Sequence, residues 1–191
     1  MRPTQPGQSA LLLLDVVDLL TEGGFEYAVI GAMAASVHGA VRASLDADAV
    51  AFVTLQQVGV LERRFTEAGF TTSLRIGGID DPISALLALE DANGNRVDLI
   101  VGLRGLDRSA LERSIEVPFQ GVKLRILGRE DFIATKVFAG GPQDLADASA
   151  AIAVDSASID VALVREIAGR YGREARDRLE ALLSVTKRRR P

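Results

Sequence analysis

The segment from Val29 to Phe52 constrains the fold more than any other part of the sequence. A short apolar run, Tyr27–Ile30, leads into Gly31, and a small-residue segment that ends at Gly39 follows it. The run predicts a strand, and the length and alanine content of the segment predict a helix of two turns. After a loop, the stretch from Asp46 to Val53 combines small and β-branched residues and predicts a second strand. The chain is therefore expected to begin as an α+β domain.

The pattern of the chain changes near residue 128. Before that point several further strand patterns occur, and an Asn93-Gly94 hairpin signal separates two of them. From Gly128 onward only helix patterns occur, and Pro142 suits the first position of a helix. We therefore predict an α+β domain over residues 1–127 and a C-terminal helical bundle over residues 128–191 that packs on it.

The composition excludes several kinds of chemistry. The 191 residues include no Cys and one His, which excludes a thiol nucleophile, an iron–sulfur cluster and a histidine-rich zinc site. The apolar run Leu11–Leu14 is followed by Asp15 and Asp18, so it is too short and too charged for a signal peptide or a membrane span. A formal charge of −4 gives no overall attraction to nucleic acid. We expect a cytoplasmic protein with no membrane partner.

Three aspartates are candidates for a metal site. Asp46 and Asp48 are two residues apart on a predicted strand, so their side chains point to the same face. Asp98 lies within an apolar strand pattern, where an ionised carboxylate needs a cation or hydrogen-bond donors. Three such groups at one place would repel one another, and a divalent cation removes this repulsion. Ligand sets made only of oxygen select Mg²⁺ or Mn²⁺ over zinc.

Gly31 fits a phosphate-binding role beside these carboxylates. A glycine between a strand and a helix lets the backbone approach a phosphate closely, and the helix start offers free N–H groups. Metal-binding carboxylates, a phosphate contact and the nearby Arg42 are the parts that phosphoryl or nucleotidyl transfer requires. The sequence therefore predicts a site for phosphoryl or nucleotidyl transfer.

Taken in order, these motifs resemble the DNA polymerase β-like nucleotidyltransferase superfamily, and most of all its small bacterial members of the abortive-infection and toxin–antitoxin type. That family has Gly-Gly or Gly-Ser at a helix start, an Arg-x-Thr-x-Asp-x-Asp element, and a lone carboxylate on a later strand. The sequence has Gly31-Ala32, then Arg42–Asp48, then Val97-Asp98-Leu99. On the helical side, Lys136 and the segment Asp144–Asp147 are similar to a Lys and an Asp-Leu-x-Asp element of those toxins. The resemblance spans residues 25 to 150.

The resemblance implies a mixed β-sheet flanked by helices, with a helical bundle after it. It implies that Asp46, Asp48 and Asp98 are the catalytic residues: Asp46 and Asp48 hold two Mg²⁺ or Mn²⁺ ions, and Asp98 completes one of the two sites. Asp98 would also help to deprotonate the attacking hydroxyl. Lys136 would steady the triphosphate, and Asp144 would orient Lys136 or the acceptor. The full set of implied nucleotide contacts is Gly31, Ala32, Arg42, Ser44, Lys136 and Asp144. The implied acceptors are the hydroxyl of a tRNA, of another RNA end or of a protein, and a cognate antitoxin is an implied partner.

Two other functions are consistent with the same residues. Ala32 stands where the family has Gly or Ser, which favours a catalytically degenerate relative that acts as a binding module or as one member of a toxin–antitoxin pair. Asp46-x-Asp48 with manganese also occurs in glycosyltransferases that use sugar nucleotides, although that fold normally needs a longer nucleotide-binding domain.

Each motif also has a purely structural interpretation. Asp46 and Asp48 would then form a solvated strand end, and Asp98 would pair with an arginine such as Arg96 or Arg75. The remaining structural interpretations are a turn glycine at Gly31, a solvated charge at Lys136, helix capping by Asp144 and Asp147, and a buried His38.

Overall fold

A computed structural model describes residues 1–154 and 158–188, except for the side chains of residues 186–188. The last residues of the predicted helical domain, 189–191, lie outside this part. The strands are β1 (Tyr27–Val29), β2 (Asp46–Ala51), β3 (Thr71–Ile76), β4 (Ile83–Glu90), β5 (Arg96–Leu103), β6 (Ile115–Phe119) and β7 (Val122–Ile126). The helices are α1 (Ser9–Glu22), α2 (Gly31–Val37), α3 (Leu55–Glu67), α4 (Ser109–Glu112), α5 (Arg129–Ala139), α6 (Pro142–Val154), α7 (Val161–Arg170) and α8 (Arg173–Arg188).

The strands form one mixed sheet in the order β3-β4-β5-β2-β1-β7-β6. Neighbouring strands are antiparallel except for β2 with β5 and β1 with β7, which are parallel. The α+β class with a mixed sheet, which the sequence predicts, is confirmed. The parallel pairing of β2 with β5 brings together segments that are far apart in the sequence, and it determines the arrangement of the candidate site.

The chain divides into two compact units. The first consists of Met1–Met33, Ala43–Arg104 and Ile115–Ile126, and it holds the whole sheet together with α1 and α3. The second consists of Ala34–Arg42, Gly105–Ser114 and the chain from Leu127 onward, and it holds α4 to α8. The predicted domain boundary between residues 127 and 128 stays a prediction. The second compact unit begins its longest segment at Leu127, and it also includes two earlier segments of the chain.

The core of the first unit lies on one face of the sheet. Helix α1 packs on β2 and β5, and α3 packs on β3, β4 and β5. The sheet residues on this face are fully buried and apolar, as in Ala49, Leu87 and Leu99. The alternate residues of β4 and β5 are mostly half-buried, so the second face of the sheet is more accessible to solvent. Period-two alternation of this kind is typical of a sheet with one core face.

In the second unit, α5 packs against α6, α7 and α8. Helix α5 ends at Gly140, which adopts a left-handed conformation with φ of 70°, and Pro142 is the first residue of α6. The buried apolar side chains of α5, including Phe132, Ile133 and Val137, form the centre of this unit. No helix within residues 1–154 and 158–188 combines the length and the apolar character that a bilayer span requires.

Candidate functional site

The three predicted carboxylates lie on one face of the β2–β5 pair. Asp48 is directly opposite Asp98 in the parallel register, and Asp46 is directly opposite Arg96. Residues that are directly opposite point to the same side of a sheet, as do residues two apart on one strand. Glu90 of β4 is opposite Arg96 from the other side and adds a fourth carboxylate to this surface. We refer to Asp46, Asp48, Glu90, Arg96 and Asp98 together as the acidic face.

Arg96 and Asp98 form a two-point ion pair. Arg96 Nε donates to Asp98 Oδ1 at 2.8 Å, and Arg96 Nη2 donates to Asp98 Oδ2 at 3.3 Å. The Asp98 hydrogen bond, followed by the charge of Asp98 and weaker contributions from Asp46 and Glu90, raises the pKa of the Arg96 guanidinium above its usual value. The structure therefore shows the ion pair with Arg96 that the structural interpretation of Asp98 predicts.

Gly31 lies against the Asp48 carboxylate at the start of α2. Its φ is +61°, and a Cβ at this position would overlap Oδ2 of Asp48. The Ile30 N–H donates to the backbone oxygen of Asp48 at 3.0 Å, which joins the two strands at this turn. Gly31 is thus required both by its backbone conformation and by the closeness of Asp48. The neighbouring Ala32 side chain is buried, whereas Ser44 lies exposed in the loop before β2.

The acidic face fits a divalent cation in the type of its donor atoms. It offers carboxylate oxygens, which Mg²⁺ and Mn²⁺ prefer, from residues that are adjacent across one strand pair. Within residues 1–154 and 158–188, however, no three His, Cys, Asp or Glu side chains are grouped closely enough to hold a metal ion as they stand. On this face the Asp98 carboxylate is hydrogen-bonded to Arg96, and the Asp48 carboxylate lies against Gly31. A cation that bound here with Asp98 would share or compete with Arg96 for the oxygens of that carboxylate.

The other predicted site residues belong to the second unit, where they surround Asp147. Lys136 Nζ lies 2.7 Å from Asp144 Oδ1 and 3.2 Å from Asp147 Oδ2. Arg42 Nε lies 3.3 Å from Asp147 Oδ2, and Gln143 Nε2 donates to Asp147 Oδ1 at 2.8 Å. We refer to Arg42, Lys136, Gln143, Asp144 and Asp147 as the Asp147 cluster.

The members of the Asp147 cluster differ in how deeply their side chains are buried. The Asp147 side chain is 1% exposed and that of Lys136 is 13% exposed, whereas that of Asp144 is 28% exposed. A buried carboxylate requires cations and donors around it, and Asp147 has two cations and an amide. Two positive and two negative side chains balance the charge of the cluster. Lys136 is therefore fixed in an ion-pair network and does not carry the solvated charge that the structural interpretation expects.

Sequence reasoning gave too little weight to two residues. Arg96 lies two positions before Asp98 on a strand, so period-two alternation places both on one face. Asp147 lies one turn after Asp144 on α6, and its burial depends on helix packing that the local sequence does not specify. The predicted buried His38 is also present: Nε2 donates to the Leu127 carbonyl oxygen at 2.8 Å, and its ring lies 5.2 Å from that of Phe132.

Comparisons with known proteins identify the fold. No family model matches the sequence, and no curated protein matches it either. The solution structure of the antibiotic-resistance factor ANT(2'')-Ia matches with a TM-score of 0.58 at 14% identity, over 93% of this chain and 96% of that one. An antigenic nucleotidyltransferase-like protein from Paracoccidioides brasiliensis matches with a TM-score of 0.54 at 14% identity, over 97% and 90%. The crystal structure of ANT(2'')-Ia in complex with adenylyl-2''-tobramycin gives 0.52 at 15% identity, over 94% and 97%.

These matches span nearly the whole length of both chains in each comparison. The chain therefore has a nucleotidyltransferase-like fold, as the sequence motifs predict. At this level of identity the likeness establishes the fold alone, and the reaction has to be argued from the site.

Proposed function

We propose that this protein is a metal-dependent nucleotidyltransferase. It would transfer a nucleoside monophosphate from a nucleoside triphosphate to a hydroxyl group. A bond forms between the acceptor oxygen and the α-phosphorus, the bond from that phosphorus to the bridging oxygen breaks, and pyrophosphate leaves. The proton of the acceptor hydroxyl passes to water. The observation that carries the proposal is the register of β2 and β5, which places Asp46, Asp48 and Asp98 on one solvent-accessible face.

The acidic face supplies the proposed cation ligands. Asp46, Asp48 and Asp98 would hold Mg²⁺ or Mn²⁺, and the bound ion would neutralise charge on the triphosphate. The position of Gly31 against Asp48 supports this assignment, since any larger residue at 31 would displace that carboxylate. Ala32 and Ser44, the neighbours of these residues in the first unit, are proposed nucleotide contacts through the resemblance.

The residues of the second unit have a more limited role in the proposal. The resemblance assigns Arg42, Lys136 and Asp144 to the triphosphate. Asp144 Oδ1 is 2.7 Å from Lys136 Nζ, which supports an orienting role for Asp144. Because Asp147 binds both cations of the cluster, either cation would have to give up part of that contact in order to bind phosphate.

The acceptor remains open among three classes. The resemblance suggests a tRNA or a protein hydroxyl, together with a cognate antitoxin and a cytoplasmic setting. The neighbour bound to adenylyl-2''-tobramycin suggests a small hydroxylated molecule instead. The formal charge of −4 gives the chain no overall attraction to a large polyanion such as tRNA. We therefore propose a small-molecule hydroxyl first and RNA second.

A catalytically degenerate binding module is the second candidate function. The Arg96–Asp98 ion pair favours it, because a cation of the chain already occupies the third carboxylate. Such a protein would bind a triphosphate and transfer nothing.

The experiment that tests the proposal is a nucleotide-transfer assay. The protein is incubated with each of the four α-labelled triphosphates, Mg²⁺ or Mn²⁺, and one acceptor at a time: tobramycin, total tRNA or a protein mixture. Transfer of label and release of pyrophosphate are the two measurements. We expect transfer from at least one triphosphate, with a loss of about a hundredfold or more in Asp48→Asn, because the variant replaces a charged cation ligand with a neutral amide.

The matched control is Asp80→Asn, an exposed carboxylate in the β3–β4 turn of the same sheet. It makes the same chemical change away from the acidic face and should retain wild-type transfer. Equal activity of wild type and Asp48→Asn would contradict the assignment of the site. Metal-dependent binding of a triphosphate without transfer to any acceptor would favour the degenerate module.

A further inference from the structure

Arg96 occupies the centre of the acidic face. Asp46 and Glu90 lie directly opposite it on the two neighbouring strands, and Asp98 follows it by two residues on the same face. Both Asp98 oxygens accept hydrogen bonds from its guanidinium, at 2.8 Å and 3.3 Å. The side chain of one residue thus contacts or faces most of the carboxylates that the proposed function assigns to a cation.

The Arg96–Asp98 pair is not required by burial. The side chains of Arg96 and Asp98 are 42% and 21% exposed, so water could solvate both charges if they separated. In contrast, the Asp131 side chain is 1% exposed and depends on its two-point pair with Arg113 for compensation. A pair between partly exposed groups is weak and can be exchanged for another partner. In this pair, the Arg96 guanidinium contacts both carboxylate oxygens of Asp98.

We propose that Arg96 is an internal counter-cation that competes with the divalent cation for Asp98. It offsets part of the negative charge of the acidic face while no metal is bound, and it gives up Asp98 when a metal arrives. The affinity of the face for metal is then set by the exchange of one cation for another. This inference rests on the proposed function, and Arg96 acts through Asp98 as a positioning residue.

Two measurable effects follow from the substitution Arg96→Gln. Without the guanidinium, Asp98, Asp46 and Glu90 lose the cation that they face, so the metal-free protein should melt at a lower temperature. Mn²⁺ no longer has a competitor, so it should bind about fivefold more tightly or better. Mn²⁺ should then raise the melting temperature more in Arg96→Gln than in wild type, because a ligand of the native state stabilises in proportion to its occupancy.

The experiment measures Mn²⁺ binding by the paramagnetic resonance signal of the free ion, together with melting curves with and without Mn²⁺. Wild type, Arg96→Gln, Arg96→Lys and Asp48→Asn are compared. Arg96→Lys keeps the charge and loses the two-point geometry, so its affinity should lie between those of wild type and Arg96→Gln.

The matched control is Arg75→Gln, which removes the same charge from β3 of the same sheet. Arg75 also forms an ion pair, with Nη1 at 2.8 Å from Asp81 Oδ2, and its side chain is likewise partly exposed. It should leave Mn²⁺ affinity within about twofold of wild type. An equal gain in Mn²⁺ affinity in Arg96→Gln and Arg75→Gln would show that the gain comes from the change in net charge alone, and it would overturn the inference.

The outcomes separate this inference from the proposed function. Tight binding in wild type, lost in Asp48→Asn and unchanged in Arg96→Gln, overturns the inference and leaves the proposed function standing. Binding that appears only in Arg96→Gln supports the inference and contradicts a metal-dependent reaction of the natural protein. The absence of binding in every variant overturns both.

Discussion

The acidic face and the Asp147 cluster use similar residues in opposite ways. The acidic face has an excess of negative charge, and its side chains are mostly half-exposed. The Asp147 cluster balances two cations against two carboxylates, and its central residue is buried. Both contain charged residues that the family resemblance assigns to the site, yet their surroundings differ.

The difference indicates what each region can contribute. Unbalanced charge that remains accessible to water can still change partner, so the acidic face is suited to binding a cation. Balanced and buried charge is costly to disturb, because each removed partner leaves another group uncompensated. We therefore expect substitutions in the acidic face to change binding, and substitutions in the Asp147 cluster to change stability.

The largest effect on stability is expected for Asp147→Ala. The change removes one of the two carboxylates that pair with Lys136, which is 13% exposed, and it removes the acceptor of the Gln143 amide. The free energy of unfolding should fall by about 3 kcal/mol, as for other broken buried ion pairs. Denaturant unfolding of wild type and variant measures the difference.

The control for Asp147 is Asp144→Ala on the same helix. Asp144 is more exposed and Lys136 keeps Asp147, so the loss should stay below about 1 kcal/mol. Equal losses for the two variants would contradict the distinction between a buried centre and an exposed member of the cluster.

An intermediate effect is expected for Gly31→Ala beside the acidic face. The new residue must adopt φ of +61°, and its Cβ would overlap the Asp48 carboxylate. We expect a loss of about 2 kcal/mol, of which roughly half is backbone strain. The loss should therefore be smaller in an Asp48→Ala background, which a thermodynamic cycle of the four proteins measures.

Gly59→Ala is the control for the glycine substitution. Gly59 lies inside α3 with open space around its Cα, so alanine should stabilise the protein by about 0.5–1 kcal/mol. A loss of stability in Gly31→Ala that is unchanged when Asp48 is alanine would show that contact with the carboxylate contributes nothing.

The smallest effect concerns pH and His38 in the second unit. Burial lowers the pKa of His38 below its usual value, although the Leu127 carbonyl acts in the opposite direction. The unfolded chain therefore binds the proton first, and the free energy of unfolding should decrease as pH falls below about 6.5. The limiting slope for one group is about 1.4 kcal/mol per pH unit.

His38→Gln checks this prediction, because the chain has one His and the variant removes the group that titrates in this range. Unfolding free energies between pH 7.5 and 5.5 should vary less in the variant than in wild type. The same pH dependence in both proteins would assign the effect to other groups.

Local patterns predicted most of the secondary structure. The helix at Ser9–Glu22 follows from its spaced leucines and valines and from Gly23, and the structure has that helix. The β4–β5 hairpin follows from Asn93-Gly94, and the two strands do pair across that turn. These features depend on residues that are near one another in the sequence, so a single sequence contains the information.

The sequence by itself determined the α+β class, the strand–glycine–helix turn at Gly31 and the presence of carboxylates two apart on a strand at Asp46 and Asp48. Only the tertiary structure decided that β5 lies parallel to β2 with Asp98 beside Asp48, that the Asp98 carboxylate pairs with Arg96, and that Asp147 is buried among cations. The physical reason is that strand order, register and burial arise from packing between distant segments, whose free energy no local pattern of residues encodes.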